Sequence, residues 1–427
     1  MAKVSRPRKP GILVKVLGLA GALGVVALGT AAPVRRLVNF PTRVQTTAGQ
    51  DLVLPWSRWI PLSVQESGSK PVIISHTQVI RLRTPRVGHY LLRFRLFGRI
   101  PWRGVPVDVT KPIYVVPGGE SVGVLAHTEG LMVTGFSSVT SLGRHPDPAL
   151  EAGIERGDVI TRVDGRPALS VGFFTSRIAY DGRRHQPLRL WVAGARSDRE
   201  RQVEPVLSPR TGRWEIGAVV QDHTSGVGTL TFFSPGTHRF AALGHSISDG
   251  LTRRPVGLSQ GGVMGADIVG LVPATDTEPG QKIGVLAGSS NVSGYTRFNG
   301  RFGIVGQLNH LPVWGPTQAM PLAFPDQVRT GPAEMITVVH GQFPESFRIQ
   351  IIRAAVQNRP TVKGLLFQVT DPRLLRDTGG IIQGMSGSPI IQNGRVVGAV
   401  THVLVNRPSM GFGCYAYWMA DQPSYRG

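Results

Sequence analysis

The run Gly379-Gly380-Ile381-Ile382-Gln383-Gly384-Met385-Ser386-Gly387-Ser388-Pro389-Ile390-Ile391 sets a serine between glycines, ahead of a proline and an apolar strand. A nucleophile turn needs that arrangement. Small neighbours let the backbone bend sharply. They also let a substrate carbonyl reach the backbone N–H groups of Gly384 and Ser386, a candidate oxyanion hole. An ordinary Gly/Ser hairpin loop has the same composition, so the run acquires chemical meaning only with a base nearby. Around it, residues 215–427 consist of short apolar β-type runs separated by Gly and Pro, among them 216–220, 228–233, 268–272, 283–286, 347–352, 364–369 and 396–405. Runs of this length and spacing predict an all-β barrel or sandwich.

Eleven histidines are candidates for the base. Most, such as His145 and His185, lie in polar loops and read as solvated side chains. His245 differs, because it ends the apolar run Phe240-Ala241-Ala242-Leu243-Gly244 and is followed by Ser246-Ile247-Ser248-Asp249. A strand end flanked by small residues can orient an imidazole by packing. A third group must fix the tautomer and stabilise the imidazolium. Asp371, in Val369-Thr370-Asp371-Pro372, also follows a strand; Asp249 and Asp377 compete with it. Ser388 is the rival nucleophile, although Pro389 follows it directly.

Upstream, residues 111–206 change character. Gly118-Gly119-Glu120-Ser121-Val122-Gly123-Val124 reads as a Gly-containing loop entering a strand, and a second strand follows at Leu131-Met132-Val133-Thr134. Pro148-Ala149-Leu150-Glu151-Ala152 reads as one helical turn, and 171–180 as a helix with an apolar face at Val171, Phe174 and Ile178. The pattern Ala149-Leu150-Glu151-Ala152-Gly153-Ile154-Glu155-Arg156-Gly157-Asp158-Val159-Ile160 resembles that of PDZ domains attached to bacterial proteases. The resemblance implies that Ser121, Val122, Gly123 and Val124 offer backbone N–H groups to a peptide C-terminus, or to the chain itself, which adds as a strand.

The N-terminal fifteen residues carry Lys3, Arg6, Arg8, Lys9 and Lys15, and 16–34 carry no charge. Such a stretch approaches the roughly 20 residues of a membrane-spanning helix, and the basic flank predicts a cytoplasmic N-terminus with the remaining domains outside. Retained anchor is favoured over cleaved signal peptide, for which Thr30-Ala31-Ala32 would supply the small residues. Residues 35–110 alternate aliphatic residues with Arg at a period of two, as in Tyr90-Leu91-Leu92-Arg93-Phe94-Arg95-Leu96, and predict a β-rich linker or small domain. The domain division is therefore 1–34, 35–110, 111–206 and 215–427.

Composition narrows the chemistry. The 427 residues are 41% hydrophobic and 17% charged, ample for packed cores in two or three domains. The formal charge is +21, but 40 Arg and 7 Lys are dispersed along the chain without a basic block interleaved with aromatics. That distribution predicts a basic surface, tolerable near anionic lipid, and no nucleic-acid site. A lone cysteine, Cys414, excludes a disulfide framework and Cys-based metal sites. Neither a His-Glu-x-x-His motif nor a P-loop occurs, so no metal or other cofactor is expected.

The order His245…Asp371…Ser386 resembles that of chymotrypsin-like proteases, whose nucleophile loop reads Gly-x-Ser-Gly-x-Pro. More specifically, Leu243-Gly244-His245-Ser246-Ile247-Ser248-Asp249, Val369-Thr370-Asp371-Pro372, the Ser386 run and Gly394-Arg395-Val396-Val397-Gly398-Ala399-Val400-Thr401-His402-Val403 resemble the stage IV sporulation protein B peptidases. The resemblance implies a mainly β chain: a chymotrypsin-like double β-barrel with an inserted or preceding PDZ domain and an N-terminal transmembrane helix. It implies a serine endopeptidase with the triad His245, Asp371 and Ser386, without cofactor. By the same resemblance the enzyme acts between forespore and mother cell on a membrane-associated regulator of an intramembrane protease, which then matures a late mother-cell sigma factor. The rival reading is a membrane-tethered PDZ adaptor with a degenerate protease-like domain.

Overall fold

The structure is a computed structural model that describes residues 34, 37–38, 40–49, 51–56, 61–66, 72–74, 79–83, 86–139, 147–194, 197–248, 261–286, 293–312, 315–355, 360–422 and 425. The predicted membrane segment lies outside these residues except for Val34. No helix among the described residues is long and apolar enough to cross a membrane. The chain forms two compact units, one ending at Pro112 and one beginning at Ile113.

The first unit is a small β structure, as the period-two alternation predicts. Gly88–Leu96 pairs with Ile100–Thr110 on one side and Leu62–Glu66 on the other. Leu92 and Phe94 turn inward while Arg93 faces water. An aromatic cluster of Phe40, Trp56, Phe94 and Trp102, with ring centroids about 5 Å apart, fills its core.

The second unit holds two six-stranded barrels. The strands of the first are β1 (Ser121–Phe136), β2 (Ala218–Phe233), β3 (Arg239–Leu243), β4 (Gly261–Val272), β5 (Ser293–Gly300) and β6 (Gly303–Leu308). Those of the second are β7 (Gly331–Thr337), β8 (Glu345–Ala354), β9 (Leu365–Val369), β10 (Pro389–Gln392), β11 (Arg395–Val403) and β12 (Met410–Tyr415). Around the first barrel the order is β1-β2-β3-β6-β5-β4, closed by the β4–β1 pairing; around the second it is β7-β8-β9-β12-β11-β10, closed by β10–β7. Both barrels thus share one topology. Closure removes the exposed edges of twelve apolar strands. The alternation seen in the sequence becomes inside and outside: Leu365, Phe367 and Val369 are buried, whereas Gln368 is exposed. A further core joins the barrels, with Phe232, Ala241 and Val305 of the first packed with Val396, Ala399 and Cys414 of the second.

The domain order differs from the linear division expected at 206–215. The first barrel strand precedes the segment expected to form a PDZ domain, and residues 137–217 are inserted between β1 and β2. Both strands are 16 residues long and run out of the barrel side by side, from Ser121↔Thr229 to Phe136↔Ala218. The insert adds strands Val159–Val163, Leu188–Ala193 and Asp198–Val203 to the outer end of β1. It also carries α1 (Pro148–Glu151) and α2 (Val171–Arg183). Ser170 caps α2 by accepting from Phe173 N, and Phe174 and Ile178 are buried, the inward face predicted for that helix. They pack on Leu131, Ile160, Leu188 and Leu190 in a core separate from those of the barrels.

One expectation for this region is corrected. Ser121, Val122, Gly123 and Val124 do not form a free carboxylate-binding loop. They lie in the barrel half of β1, where Val122 pairs with Gly228 of β2 on one edge and Gly265 of β4 on the other. Ser121, Val122 and Val124 are buried. A strand bonded along both edges has no N–H to offer a peptide.

Candidate active site

Ser386 lies in the connection between the third and fourth strands of the second barrel, and His245 in the equivalent connection of the first. The two connections meet where the barrels pack. The Ser386 loop is anchored by its carbonyls. Thr229 N donates to Ser386 O at 2.9 Å, Thr229 Oγ1 to Gly384 O at 2.9 Å, and Thr231 Oγ1 to Gly387 O at 2.7 Å. All three donors come from β2. With the carbonyls held toward the first barrel, the N–H groups of Gly384 and Ser386 have no acceptor among the described residues. Gly387 N, by contrast, donates to Val400 O and Ser388 N to Met385 O. Two unpaired N–H groups flanking a serine are what an oxyanion hole requires.

Glycine at 387 is a steric requirement. Its φ is +97°, and a Cβ there would lie 2.1 Å from Thr229 O and 2.5 Å from Leu243 N. Ser386 is half-buried and its Oγ donates to Thr401 O at 3.2 Å. Ser388 is 0% exposed, and its hydroxyl is turned to Thr229 Oγ1 at 3.4 Å, inside the seam between the barrels. That burial removes it as a rival nucleophile.

His245 follows a tight reversal. Gly244 N donates to Ala242 O across Leu243, whose φ is +73°. Such a three-residue turn is strained for a bulky residue. The buried Leu243 side chain, packed in the first-barrel core, holds it. The imidazole Nδ1 lies 2.9 Å from Ser246 O. A carbonyl only accepts, so Nδ1 carries the proton and Nε2 keeps its lone pair. Burial lowers the pKa of His245, opposed by the Ser246 contact. The group is therefore neutral at pH 7. His402 of β11 faces it with ring centroids 5.5 Å apart and is itself pushed down to about 4, by burial and then by the charges of His245 and Lys363. No hydrogen bond joins His245 to Ser386; the serine hydroxyl is turned to Thr401 instead.

Asp371, expected to orient the imidazole, does not meet it. Its carboxylate caps α3 (Pro372–Thr378), accepting from Arg373 N at 3.0 Å, and it takes Arg348 N at 3.2 Å and Arg373 Nε at 3.2 Å. Burial raises its pKa, but the Arg373 guanidinium and the two backbone N–H groups overcome that and hold it at about 2. Asp371 comes two residues after β9, at the start of the connection that carries Ser386, and its carboxylate is consumed by the helix it starts and by Arg348 N. Asp377 lies 3.5 Å from its neighbour Arg376, partly exposed. Asp249 lies outside the described residues.

Two residues at the site went unnoticed in the sequence. Asn299, at the end of β5, exchanges two hydrogen bonds with Ile247: Ile247 N donates to Oδ1 at 2.8 Å, and Nδ2 donates to Ile247 O at 2.8 Å. An Asn-Gly pair at a strand end reads only as a turn. Lys282 is buried against the Ser386 loop. Its N donates to Gln383 O at 2.9 Å, its stem lies against Gly384, and its Nζ donates to Ser121 Oγ at 3.2 Å and Thr337 Oγ1 at 2.9 Å. Burial pushes its pKa down to about 7. Its inward register in an alternating strand was the available signal. Among the described residues no cluster of His, Cys, Asp and Glu is suited to a metal.

Residues 212–420 match the model of the family described as SpoIVB peptidase S55. No curated protein matches. Among solved structures, the active form of the Rv3671c protease from M. tuberculosis is 19% identical with a TM-score of 0.28, covering 48% of this chain and 75% of that one. The HtrA-type protease AlgW with a decapeptide is 15% identical at a TM-score of 0.26, with 50% and 54% covered. Human heparin binding protein is 14% identical at 0.27, with 47% and 86% covered. Residues 212–420, which carry His245, Asp371 and the glycine-bounded Ser386, are thus similar to the SpoIVB peptidase S55 family, and the chain is a serine endopeptidase.

Proposed function

We propose that Ser386 is the nucleophile, His245 its general base and acid, and the N–H groups of Gly384 and Ser386 the oxyanion hole. The observation that carries this reading is the pairing of a carbonyl-anchored serine loop with a neutral histidine whose Nδ1 carries the proton and whose Nε2 has no partner among the described residues. Rotation of the Ser386 hydroxyl away from Thr401 O turns it to the imidazole. Oγ then bonds to the scissile carbonyl carbon while its proton passes to Nε2, and the carbonyl oxygen becomes an oxyanion held by the two N–H groups. Collapse of that intermediate breaks the C–N bond, and the imidazolium returns the proton to the leaving amine. Water, deprotonated by the same Nε2, releases the acyl group and frees the serine.

In this reading the enzyme is tethered outside the cytoplasm by its N-terminal segment, between forespore and mother cell. There it cleaves a membrane-associated regulator and so frees an intramembrane protease to mature a late sigma factor. Support comes from the family of the peptidase region and from the basic flank ahead of the charge-free 16–34. The inserted module serves as a PDZ unit that takes a peptide C-terminus or a segment of the chain itself, through an edge other than Ser121–Val124.

The test is covalent labelling of the full chain by a fluorophosphonate, followed by peptide mapping. Label on Ser386, lost in Ser386→Ala with an unchanged melting temperature, is the expected result. A label on another serine, or undiminished proteolysis by Ser386→Ala, overturns the assignment.

A further inference from the structure

The imidazole of His245 has no carboxylate partner among the described residues, yet a serine peptidase needs its histidine held in one tautomer and its imidazolium stabilised. The hydrogen bonds around it supply a substitute. His245 Nδ1 donates to Ser246 O at 2.9 Å. That oxygen belongs to the same peptide group as the N–H of Ile247, which donates to Asn299 Oδ1 at 2.8 Å. Asn299 Nδ2 then donates to Ile247 O at 2.8 Å. We propose that Asn299 is a positioning residue that holds His245 as the base, acting through the Ser246–Ile247 peptide group. This rests on the reading of His245 and Ser386 as base and nucleophile.

Three features carry the inference. The first is chemical. An N–H must donate and a carbonyl must accept, so the two bonds to Ile247 fix the Asn299 amide in one orientation. A carboxylate could accept from Ile247 N but would meet Ile247 O with a second acceptor, so asparagine is the residue that satisfies both. The second is mechanical. Asn299 pairs with Ile304 of β6, and Ile304 pairs with Ala242 of β3, three residues before His245. The clamp is thus referenced to the same barrel wall that delivers the histidine. The third is electrostatic. When Nδ1–H becomes part of an imidazolium, Ser246 O is the acceptor that faces its charge. Donation by the adjoining Ile247 N–H to Asn299 polarises that peptide group in the favourable sense. The titratable group facing His245 from another element is His402, with Lys363 acting on His402 in turn.

The test measures the second-order rate of fluorophosphonate labelling of Ser386 in the full chain between pH 5 and 9. It compares wild type, Asn299→Ala, Asn299→Asp and His245→Ala, with a melting temperature for each. Asn299→Ala is expected to label more slowly, on the order of 10²-fold, because the base is no longer held in register. Its acid limb should move to lower pH, since the Ser246 contact raises the imidazole pKa. Asn299→Asp, which keeps the acceptor for Ile247 N–H, should recover part of the rate. An unaltered melting temperature with a displaced limb separates positioning from mere stability. Wild-type rate and limb in Asn299→Ala, with His245→Ala inert, overturn the clamp alone. Wild-type labelling by His245→Ala overturns the base assignment beneath it. Where Asn299→Ala does not fold, Asn299→Asp decides: a slower rate with a displaced limb supports the proposal, and an unchanged rate and limb overturn it.

Discussion

Thr229 shows how one side chain of β2 can serve the chemistry without touching substrate. Its backbone N–H and hydroxyl take two carbonyls of the nucleophile loop, and its own carbonyl fills the space a Cβ at 387 would need. Close by in space, with its carbonyl accepting from Leu230 N at 2.9 Å, Glu120 poses a different problem. It is buried, its Oε2 has no hydrogen-bond partner among the described residues, and burial raises its pKa to about 8. The folded protein therefore keeps a proton that the unfolded chain releases near the ordinary glutamate value of about 4.3. Between those values the native state binds more protons than the unfolded one, so this residue's contribution to stability falls as pH rises from about 4.3 to about 8. Glu120→Gln mimics the protonated form at every pH. The variant should match wild type near pH 4 and exceed it in melting temperature at pH 8. Parallel melting curves across that range would refute the assignment of a protonated Glu120.

At the scale of elements, α3 decides the fate of Asp371. A helix that starts at Pro372 needs acceptors for its first N–H groups, and the preceding aspartate supplies one while neutralising Arg373. Asp371→Ala should cost about 1–2 kcal/mol through loss of this cap. The native contribution is present above about pH 4 and is lost as pH falls toward 2, because the folded pKa is depressed. Denaturant titration at pH 7 measures the loss. Labelling of Ser386 in the folded variant should persist, unlike in His245→Ala. Equal loss of labelling in both variants would show that Asp371 reaches the imidazole during turnover after all.

At the scale of the molecule, the insert hangs from a two-stranded ribbon and has its own core. Where β1 and β2 leave the barrel, His127 and His223 are paired across the ribbon. Replacing residues 128–222 by Asn-Gly closes that pair with a hairpin turn of the favoured length. The shortened chain should fold, and Ser386 should label at close to the wild-type rate, while selectivity among protein substrates changes. Failure of the two barrels to form a cooperative melting transition would mean that the insert is part of the peptidase fold rather than a guest in it.

Local pattern determined a good deal of this protein. The period-two alternation of 88–96 and 365–369, the inward face of 171–180 and the glycine-bounded Ser386 loop could be read directly, because each depends on residues within a few positions of one another. His245 was legible for the same reason, as the end of an apolar strand. What pattern did not carry was partnership across the chain. Ser121–Val124 looks like a glycine-containing loop and becomes a doubly paired barrel strand, because β2 and β4 reach it from about 100 and 140 residues away. Asp371 has the sequence order of a triad acid, but hydrogen bonds to Arg348 and Arg373 hold it at the start of a helix. Asn299 looks like a turn residue and meets Ile247 only because β3, β6 and β5 lie side by side. Barrel closure makes these pairings, and closure is a property of strands distant in sequence satisfying one another's backbone groups, which no local run encodes.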